Sequence, residues 1–299
     1  MDLFQSLFGK KKGVEFDISF KDEEGRDEYN LTLLNGQSFT YPIYGTKEDL
    51  SGVVEVHVPN KQRLEHTGIT VELIGDVIDF TNDANVINFL HEEKELEKPG
   101  TIMGRKSMKF SFKKIAKKYE SYYGINVRVR YYIRVVATRG FGPNLTEEKE
   151  IWIVGKDKEP SSNKNIKMEV GIEDCLHIEF QYNQEKYHLE DVIQGQIHFL
   201  LAKIKIQHMD IELVRKETVG QGTKSVTESE TLVKFEIMDG MPIHDEVIPV
   251  RLYLRPYDLT PSYNNVAKLF SVKYYINLVL VDAEGRRFFK QQEITLWRK

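Results

Sequence analysis

Cysteine is almost absent from this sequence: Cys175 is the one cysteine among 299 residues, so no disulfide can form within the chain. Charge of one sign is not in excess either, because 42 basic residues stand against 46 acidic ones. This balance offers no general attraction for nucleic acid or an anionic bilayer, so any such contact must be local. No apolar run approaches the roughly 20 residues of a membrane-spanning helix. These absences predict a cytoplasmic protein that does not bind nucleic acid.

Recognisable catalytic motifs are missing as well. The sequence has no G-x-S-x-G nucleophile elbow, no phosphate-binding P-loop and no G-x-G-x-x-G dinucleotide motif. We therefore predict that the protein is not an enzyme and needs no cofactor. The alternative, an enzyme with an unrecognised Cys-His site, predicts thiol reactivity or a bound metal. The N-terminal LFQSLF followed by three lysines predicts at best a weak membrane contact, because six residues bury too little apolar surface.

Hydrophobic residues alternate with polar ones along most of the chain. In INVRVRYYIRVVATR, apolar or aromatic residues occupy every second position from Ile125 to Ala137, which is the pattern of a half-buried β-strand. VEFDISF, VVEVHV and ITVEL show the same alternation. NVINFLHEEKELEKPG differs, because its apolar residues from Val86 to Leu90 fall at helical spacing before Pro99, and we predict one short helix there.

The second half of the sequence repeats the first. DLSGVVEVHV is matched by VIQGQIHFLL, which places Gly52 and Gly195 143 positions apart, and VRYYIRV from Val129 is matched by VKYYINL from Val272 at the same separation. Each half therefore predicts one domain of many short strands, packed as two sheets. The polar stretch GKDKEPSSNKN between them predicts a linker. The expected organisation is domains at 1–154 and 167–299 with a linker at 155–166.

Several long runs are similar to one known family. They are, in order, RLEHTGITVELIG, YESYYGINVRVRYY, IKMEVGIEDCLHIEFQYNQEKYHLEDVIQGQIHFLL, KIKIQHMDIELVRKE, KFEIMDGMPIHDEVIPVRLYL and FSVKYYINLVLVDAEGRRFFKQQEITLWRK. These runs resemble the arrestin-like subunit of retromer, the vacuolar protein sorting twenty-six family. The resemblance implies an all-β, arrestin-like fold of two tandem antiparallel β-sandwich domains, with one short helix in the N-terminal domain. It also implies a non-enzymatic scaffold that sorts transmembrane cargo from endosomes to the Golgi or the cell surface.

The same resemblance implies three kinds of partner: the large α-solenoid subunit of retromer, sorting nexins, and the cytoplasmic tails of transmembrane cargo. Contact with endosomal membranes is then indirect, through the complex. The hairpin YGTKEDLSG departs from the YDGESVSG of animal members, so it supports no prediction about a PDZ-bearing sorting nexin. The main alternative is an arrestin-domain adaptor that recruits a ubiquitin ligase, but the Pro-Pro-x-Tyr motif typical of that class is absent.

The stretch VKFEIMDGMPIHDEV is a candidate partner site. Asp239-Gly240 is typical of a hairpin turn, and large apolar residues lie beside it. Consecutive strand residues point to opposite faces, so Ile237 and Met238 cannot both enter one core, and we predict that at least one is exposed for a partner. A turn whose tip folds back on itself is the alternative. The resemblance implies that Ile237 and Met238 bind the large α-solenoid subunit.

A second partner site is expected where the second domain begins. IKMEVGIED follows the polar linker and predicts a strand at a sheet edge, which can pair with an extended peptide. Phe288 and Phe289 are adjacent on a strand, so one of them faces away from the core. The resemblance implies a groove for cargo and a sorting nexin near Val170 and Phe289. Packing of the outward phenylalanine on the other domain is the alternative.

Two polar clusters have less specific interpretations. Cys175, His177 and Glu179 share one face of a predicted strand, but their parallel side chains lie about 7 Å apart and converge poorly on a zinc ion, so we predict a structural role and no metal. Arg128, Arg130 and Arg134 form a basic stripe. A solvated face or ion pairs explain the stripe more simply than a phosphate-binding surface, which stays the alternative.

Overall fold

The computed structural model describes residues 13–33, 35–172 and 174–299. The N-terminal LFQSLF and its lysines, with their predicted weak membrane contact, lie outside these ranges. Helical structure in the described residues is limited to one 3-10 turn, Gly222–Lys224. In the same ranges, no helix has the length and apolar character needed to cross a membrane. The chain is otherwise built of strands, which confirms the predicted all-β class.

The chain separates into two compact units. The first comprises the described residues up to Ile78, Ala84–Tyr123 and Arg128–Gly155. The second comprises Lys156–Lys299 and two short segments from the first half, Asp79–Asp83 and Gly124–Val127. The linker at 155–166 and the exact limits of the domains stay predictions.

The first unit contains two main sheets whose facing sides form an apolar core. Its strands are β1 Glu15–Phe20, β2 Glu28–Thr32, β3 Ser38–Gly45, β4 Leu50–His57, β5 Leu64–His66, β6 Gly68–Asp79, β7 Asn85–Glu97, β8 Gly100–Ile102, β9 Arg105–Phe112, β10 Tyr122–Tyr123, β11 Val127–Thr138 and β12 Leu145–Val154. The strand orders are β1-β4-β9 and β2-β3-β12-β11-β6-β7, with β10 beside β11 and β5 paired with β8 as a separate ribbon.

The helix predicted in the first half is wrong. Asn85–Glu97 forms β7, an edge strand of the larger sheet beside β6. The ring of Phe89 packs edge-to-face on Tyr131 with the centroids 5.4 Å apart. It lies so close to Gly75 that a Cβ added there would be 2.7 Å from the ring. Packing across the sheet has therefore outweighed the helical spacing of the apolar residues.

The second unit has the same kind of construction. Its strands are β13 Ile166–Ile172, β14 Leu176–Tyr182, β15 Lys186–His188, β16 Val192–Ala202, β17 Ile206–Val219, β18 Val226–Asp239, β19 Val247–Tyr253, β20 Tyr263–Val266, β21 Phe270–Asp282 and β22 Arg287–Trp297. They form the sheets β13-β14-β16-β19 and β15-β22-β21-β17-β18, with β20 beside β21.

The strand orders confirm the internal repeat. β3-β12-β11-β6-β7 in the first unit corresponds to β15-β22-β21-β17-β18 in the second, and the first pair of each series is parallel. The matched glycines lie on the equivalent strands β4 and β16. A Cβ on Gly52 would be 2.2 Å from the carbonyl oxygen of Ser19, and one on Gly195 would be 2.4 Å from that of Gln181. Each half needs glycine here because the neighbouring backbone leaves no room for a side chain.

Candidate partner-binding site

The strand β18 leads into the loop that the sequence marks as a partner site. Gly240 follows it at φ +86°, and the N–H of Gly240 donates to the carbonyl oxygen of Gln207 at 2.7 Å. The hairpin predicted at Asp239-Gly240 is wrong, because β18 and β19 belong to different sheets. The turn instead carries the chain from one sheet of the second unit to the other.

Ile237 is the extra residue of a β-bulge. Met209 of β17 lies opposite Met238 and the next residue, Asp210, lies opposite Glu236, so Ile237 has no partner directly across this ladder. A bulge breaks the alternation of faces on which the prediction relied. Both Ile237 and Met238 are half-buried. The structure thus leaves part of each side chain accessible and exposes neither of them fully.

Apolar side chains around this pair are more exposed. Four of them have 46 to 72% of their surface accessible: Phe235, Met241, Ile243 and Val247. We call residues 235–247 the docking loop. Ile243 escaped the sequence-based prediction, although an isoleucine within the polar turn segment MPIHDE is itself a signal of exposure.

Hydrogen bonds hold the docking loop against β16. The N–H of Asp245 donates to the carbonyl oxygen of Phe199, and the N–H of Phe199 donates to the carbonyl oxygen of Glu246, both at 2.9 Å. The Glu246 carboxylate accepts from the N–H of Ile243, also at 2.9 Å. The exposed side chains therefore stand on an ordered backbone, which lowers the entropy that a partner would have to remove on binding.

The predicted edge strand of the second candidate site is present. Val170 is half-buried on β13, which ends the sheet β13-β14-β16-β19. Its neighbour across the ladder is Ile178 of β14. Among the described residues, no strand pairs with the other side of β13, so its backbone can accept an added strand.

Phe289 is the outward phenylalanine of its pair. It is 73% exposed on β22, whereas Phe288 is half-buried. The strand β15 pairs with β22 only at Thr295–Trp297. Within the described chain, Arg287–Glu293 therefore has a ladder partner on one side only, β21. Phe289 stands beside this second open edge, in the sheet that does not contain Val170.

The cysteine lies in the turn between β13 and β14. The next residues alternate as predicted: Leu176, Ile178 and Phe180 are buried, and His177 and Glu179 are only partly so. His177 faces Glu169 of β13 at 3.5 Å, and Glu179 faces Lys167 at 3.3 Å. On the polar face of β14, Glu179 is thus ion-paired with the neighbouring strand, and His177 lies close to a carboxylate of that strand.

The arginine stripe is paired with carboxylates on the strands beside β11. Arg128 is 2% exposed, and its Nη2 lies 2.6 and 2.8 Å from the two carboxylate oxygens of Glu150. Arg130 lies 3.2 Å from Glu148, and Arg134 lies 2.6 Å from Glu72. Ion pairs within one sheet therefore account for the stripe.

The surroundings of these ion pairs change the pKa values of the side chains in and beside them. Burial raises the pKa of Glu150 above its ordinary value even though Arg128 opposes the shift. Burial works against the charge of Arg134, but its hydrogen bond to Glu72 is strong enough to raise the pKa of Arg134. Burial also raises the pKa of Tyr41, beside Arg128, to about 12.

One group in the described residues has the spacing of metal ligands. Possible ligand atoms of Glu72, His91 and Glu93 lie within 4.8 Å of one another. The Glu72 carboxylate already accepts a hydrogen bond from Arg134, and His91 and Glu93 are exposed. A cation would have to compete with the guanidinium, so we assign no metal to this group.

The repeated strand order of the two all-β units defines a protein of the arrestin-like fold class. A family model described as "Vacuolar protein sorting-associated protein 26" matches residues 10–285. The protein of that name from Dictyostelium discoideum is 46% identical over 100% of this chain and 85% of its own length. Vacuolar protein sorting-associated protein 26B from Arabidopsis thaliana is 46% identical over 96% and 95%, and that from Mus musculus is 44% identical over 98% and 88%. The chain belongs to the vacuolar protein sorting-associated protein 26 family and has a role in vacuolar or endosomal protein sorting.

Proposed function

We propose that this chain is a non-enzymatic scaffold subunit of retromer that binds the large α-solenoid subunit through the docking loop. The observation that carries the proposal is the exposure of four large apolar side chains within residues 235–247. Met241 and Ile243 lie on a connection held by hydrogen bonds, and Phe235 and Val247 lie on the adjoining strands β18 and β19. Exposed apolar residues grouped in this way mark protein contacts. Ile237 and Met238 lie beside them and complete the apolar surface.

The open strand edges of the second unit suit a different partner. An extended cargo tail can pair with the backbone of β13 or of β22, and an exposed aromatic residue such as Phe289 then selects among side chains. We assign Val170 and Phe289 to a groove for cargo tails and a sorting nexin. In this proposal the chain works on the cytoplasmic side of endosomal membranes, in retrieval of cargo to the Golgi and in recycling. The work is binding alone, without catalysis.

The proposal is tested by co-purification of the large α-solenoid subunit with an Ile237→Asp, Met238→Asn double variant. Loss of desolvated apolar anchors costs ~2–4 kcal/mol, so we expect about 30- to 1000-fold weaker binding. The melting temperature should change little, because both side chains are only half-buried. Unaltered binding, or unfolding of the variant, would contradict the assignment.

Two controls separate the sites. Thr231→Asp with Leu232→Asn makes the same kind of change on β18 away from the docking loop, and it should retain the solenoid subunit. Val170→Asn and Phe289→Ser should also retain that subunit. In the presence of a sorting nexin, each should lose binding of a hydrophobic cargo-tail peptide. Peptide binding equal to that of the wild type in both variants would remove these two residues from the groove.

A further inference from the structure

Three loops of the first unit meet at one end of its sandwich, where β4, β7 and β11 finish and β6, β9 and β12 begin. The loops are residues 58–63, 98–105 and 139–144, and we call them together the loop end. The β5-β8 ribbon connects them. The N–H of Val58 donates to the carbonyl oxygen of Gly104 at 2.8 Å, and Thr67, at the end of β5, donates from its N–H to the carbonyl oxygen of Thr138 at 2.8 Å.

Two of these loops present a large apolar side chain to solvent. Phe141 is 93% exposed between Gly140 and Gly142, and Gly142 has φ +86°. Met103 is 72% exposed and precedes Gly104, which has φ +69°. Both residues are therefore at the tips of tight turns, where neither can reach the core of its own unit. Such exposure is unfavourable in water and needs a reason in a partner or a surface.

The three loops themselves carry charge of one sign, although acidic residues lie next to them. The three loops contain five cationic residues and no aspartate or glutamate: Lys61, Arg63, Lys98, Arg105 and Arg139. Glu65 pairs with Arg63 at 2.9 Å, but both side chains are more than 60% exposed, so water screens this pair. Arg105 also lines a surface cleft with Glu15, Asp17 and Glu55. The surplus of positive charge at the loop end therefore comes mainly from Lys61, Lys98 and Arg139, in a chain whose total charge is -4.

We propose that the loop end binds directly to an anionic lipid bilayer, with Phe141 and Met103 inserted between the headgroups and the five cations placed against lipid phosphates. The two tips adjoin opposite ends of the three-residue β5-β8 ribbon, because Met103 follows β8 directly and Thr67, next to β5, donates to Thr138 at the base of the Phe141 turn. Separate tips among cations suit a bilayer better than a protein pocket, because a fluid surface accepts each side chain independently. This contact goes beyond the indirect membrane association expected from the resemblance, and it does not depend on the docking loop.

The proposed contact is weak for one chain. A cation near an anionic surface strengthens binding roughly fivefold, and a buried phenylalanine strengthens it at least about tenfold. A few such contributions give useful affinity only when several copies act together on one membrane. The loop end would thus orient and retain a chain that other contacts have already brought to the endosome.

The test uses the full chain at low ionic strength with a large excess of vesicles of phosphatidylcholine, with or without 30% phosphatidylserine, so that weak binding by single chains is detected. We expect sedimentation with the anionic vesicles only, with binding reduced by salt but not by soluble inorganic phosphate at equal ionic strength. Met103→Ser with Phe141→Ser should reduce binding at least about tenfold, and Lys61→Gln with Lys98→Gln about 25-fold. Tyr253→Ser is the control, because it removes an exposed aromatic residue, 59% accessible, from the other unit and should have no effect.

Insertion is measured separately with a Phe141→Trp variant. Its additional fluorescence should shift to the blue with anionic vesicles, whereas that of a Tyr253→Trp variant should not. The proposal would be overturned if the wild-type chain does not sediment with anionic vesicles, or if both loop-end double variants bind as well as the wild type. It would also be overturned if the spectrum of the Phe141→Trp variant does not shift. Binding to the solenoid subunit should be unaffected in all of these variants, so failure here leaves the proposed scaffold function standing.

Discussion

Replacing Arg128 by methionine should destabilise the first unit severely. Glu150 is 13% exposed, and Arg128 is the cation in hydrogen-bonding contact with its carboxylate, while Arg130 lies 4.0 Å away. Removing one partner of a buried ion pair costs about 3–5 kcal/mol, because the other charge is left without compensation. For a unit of this size, each kcal/mol lowers the melting temperature by roughly 2–4 °C, so the expected fall is roughly 6–20 °C.

The partner charge and pH provide two further checks. Arg128→Met combined with Glu150→Leu should recover most of the stability, to within about 1–2 kcal/mol of the wild type, because no unpaired charge is left. In the single variant, burial should keep the pKa of Glu150 raised. The folded state then binds a proton more readily than the unfolded state, so the deficit should shrink as pH falls through that raised pKa toward the unfolded value.

Thermal unfolding followed by circular dichroism measures these differences. Arg63→Met is the control in the same unit: its pair with Glu65 at 2.9 Å is more than 60% exposed on both sides, so the loss should stay below about 1 kcal/mol. A melting temperature that Arg128→Met leaves unchanged would refute the reasoning. It would mean that Arg128 is free to reach solvent, and a phosphate-binding role would regain support.

Three further predictions concern other parts of the fold. Gly52→Ala and Gly195→Ala should each cost about 1–3 kcal/mol of unfolding free energy, whereas Gly13→Ala, where the space is open, should be neutral in the same thermal melts. Cys175→Ser should bind every partner normally, and elemental analysis should find no stoichiometric zinc; one tightly bound metal per chain would contradict this. Burial lowers the pKa of His66 from 6.5, so the unfolded state binds the proton more readily and stability should fall as pH drops below about 6.5. His66→Asn should remove that pH dependence of the melting temperature.

The strands were predictable because alternation is a local property of the sequence. β11 and β14 show this: each inward residue is apolar, and the register follows from the pleat. The repeat added that the two halves share one arrangement of strands, since matched segments must occupy matched positions. β7 was not predictable in this way. This segment is a strand and not a helix because Phe89 packs on Tyr131, a residue far from it in sequence.

The candidate partner site shows the same division. Apolar residues beside a turn signalled the docking loop, but the bulge at Ile237 depends on the register with β17 and cannot be read from β18 alone. The arginine stripe was predicted to lie on a solvated face or in ion pairs, and only the positions of the neighbouring strands show that Arg128 is buried. The alternation of residues along a strand shows which face of the sheet a side chain lies on. Whether that side chain is buried depends on what covers the face.

The half-open edge of β22 also bears on how the isolated chain behaves in a concentrated solution. An unpaired strand segment with an exposed phenylalanine can add a second copy of the chain as readily as a ligand, which is the first step of aggregation. Arg287 and Lys290 flank Phe289 on this segment and are both exposed. Their like charges would be brought together in a stack of identical strands, so they act as gatekeepers against self-association while leaving the edge available to a peptide of different sequence.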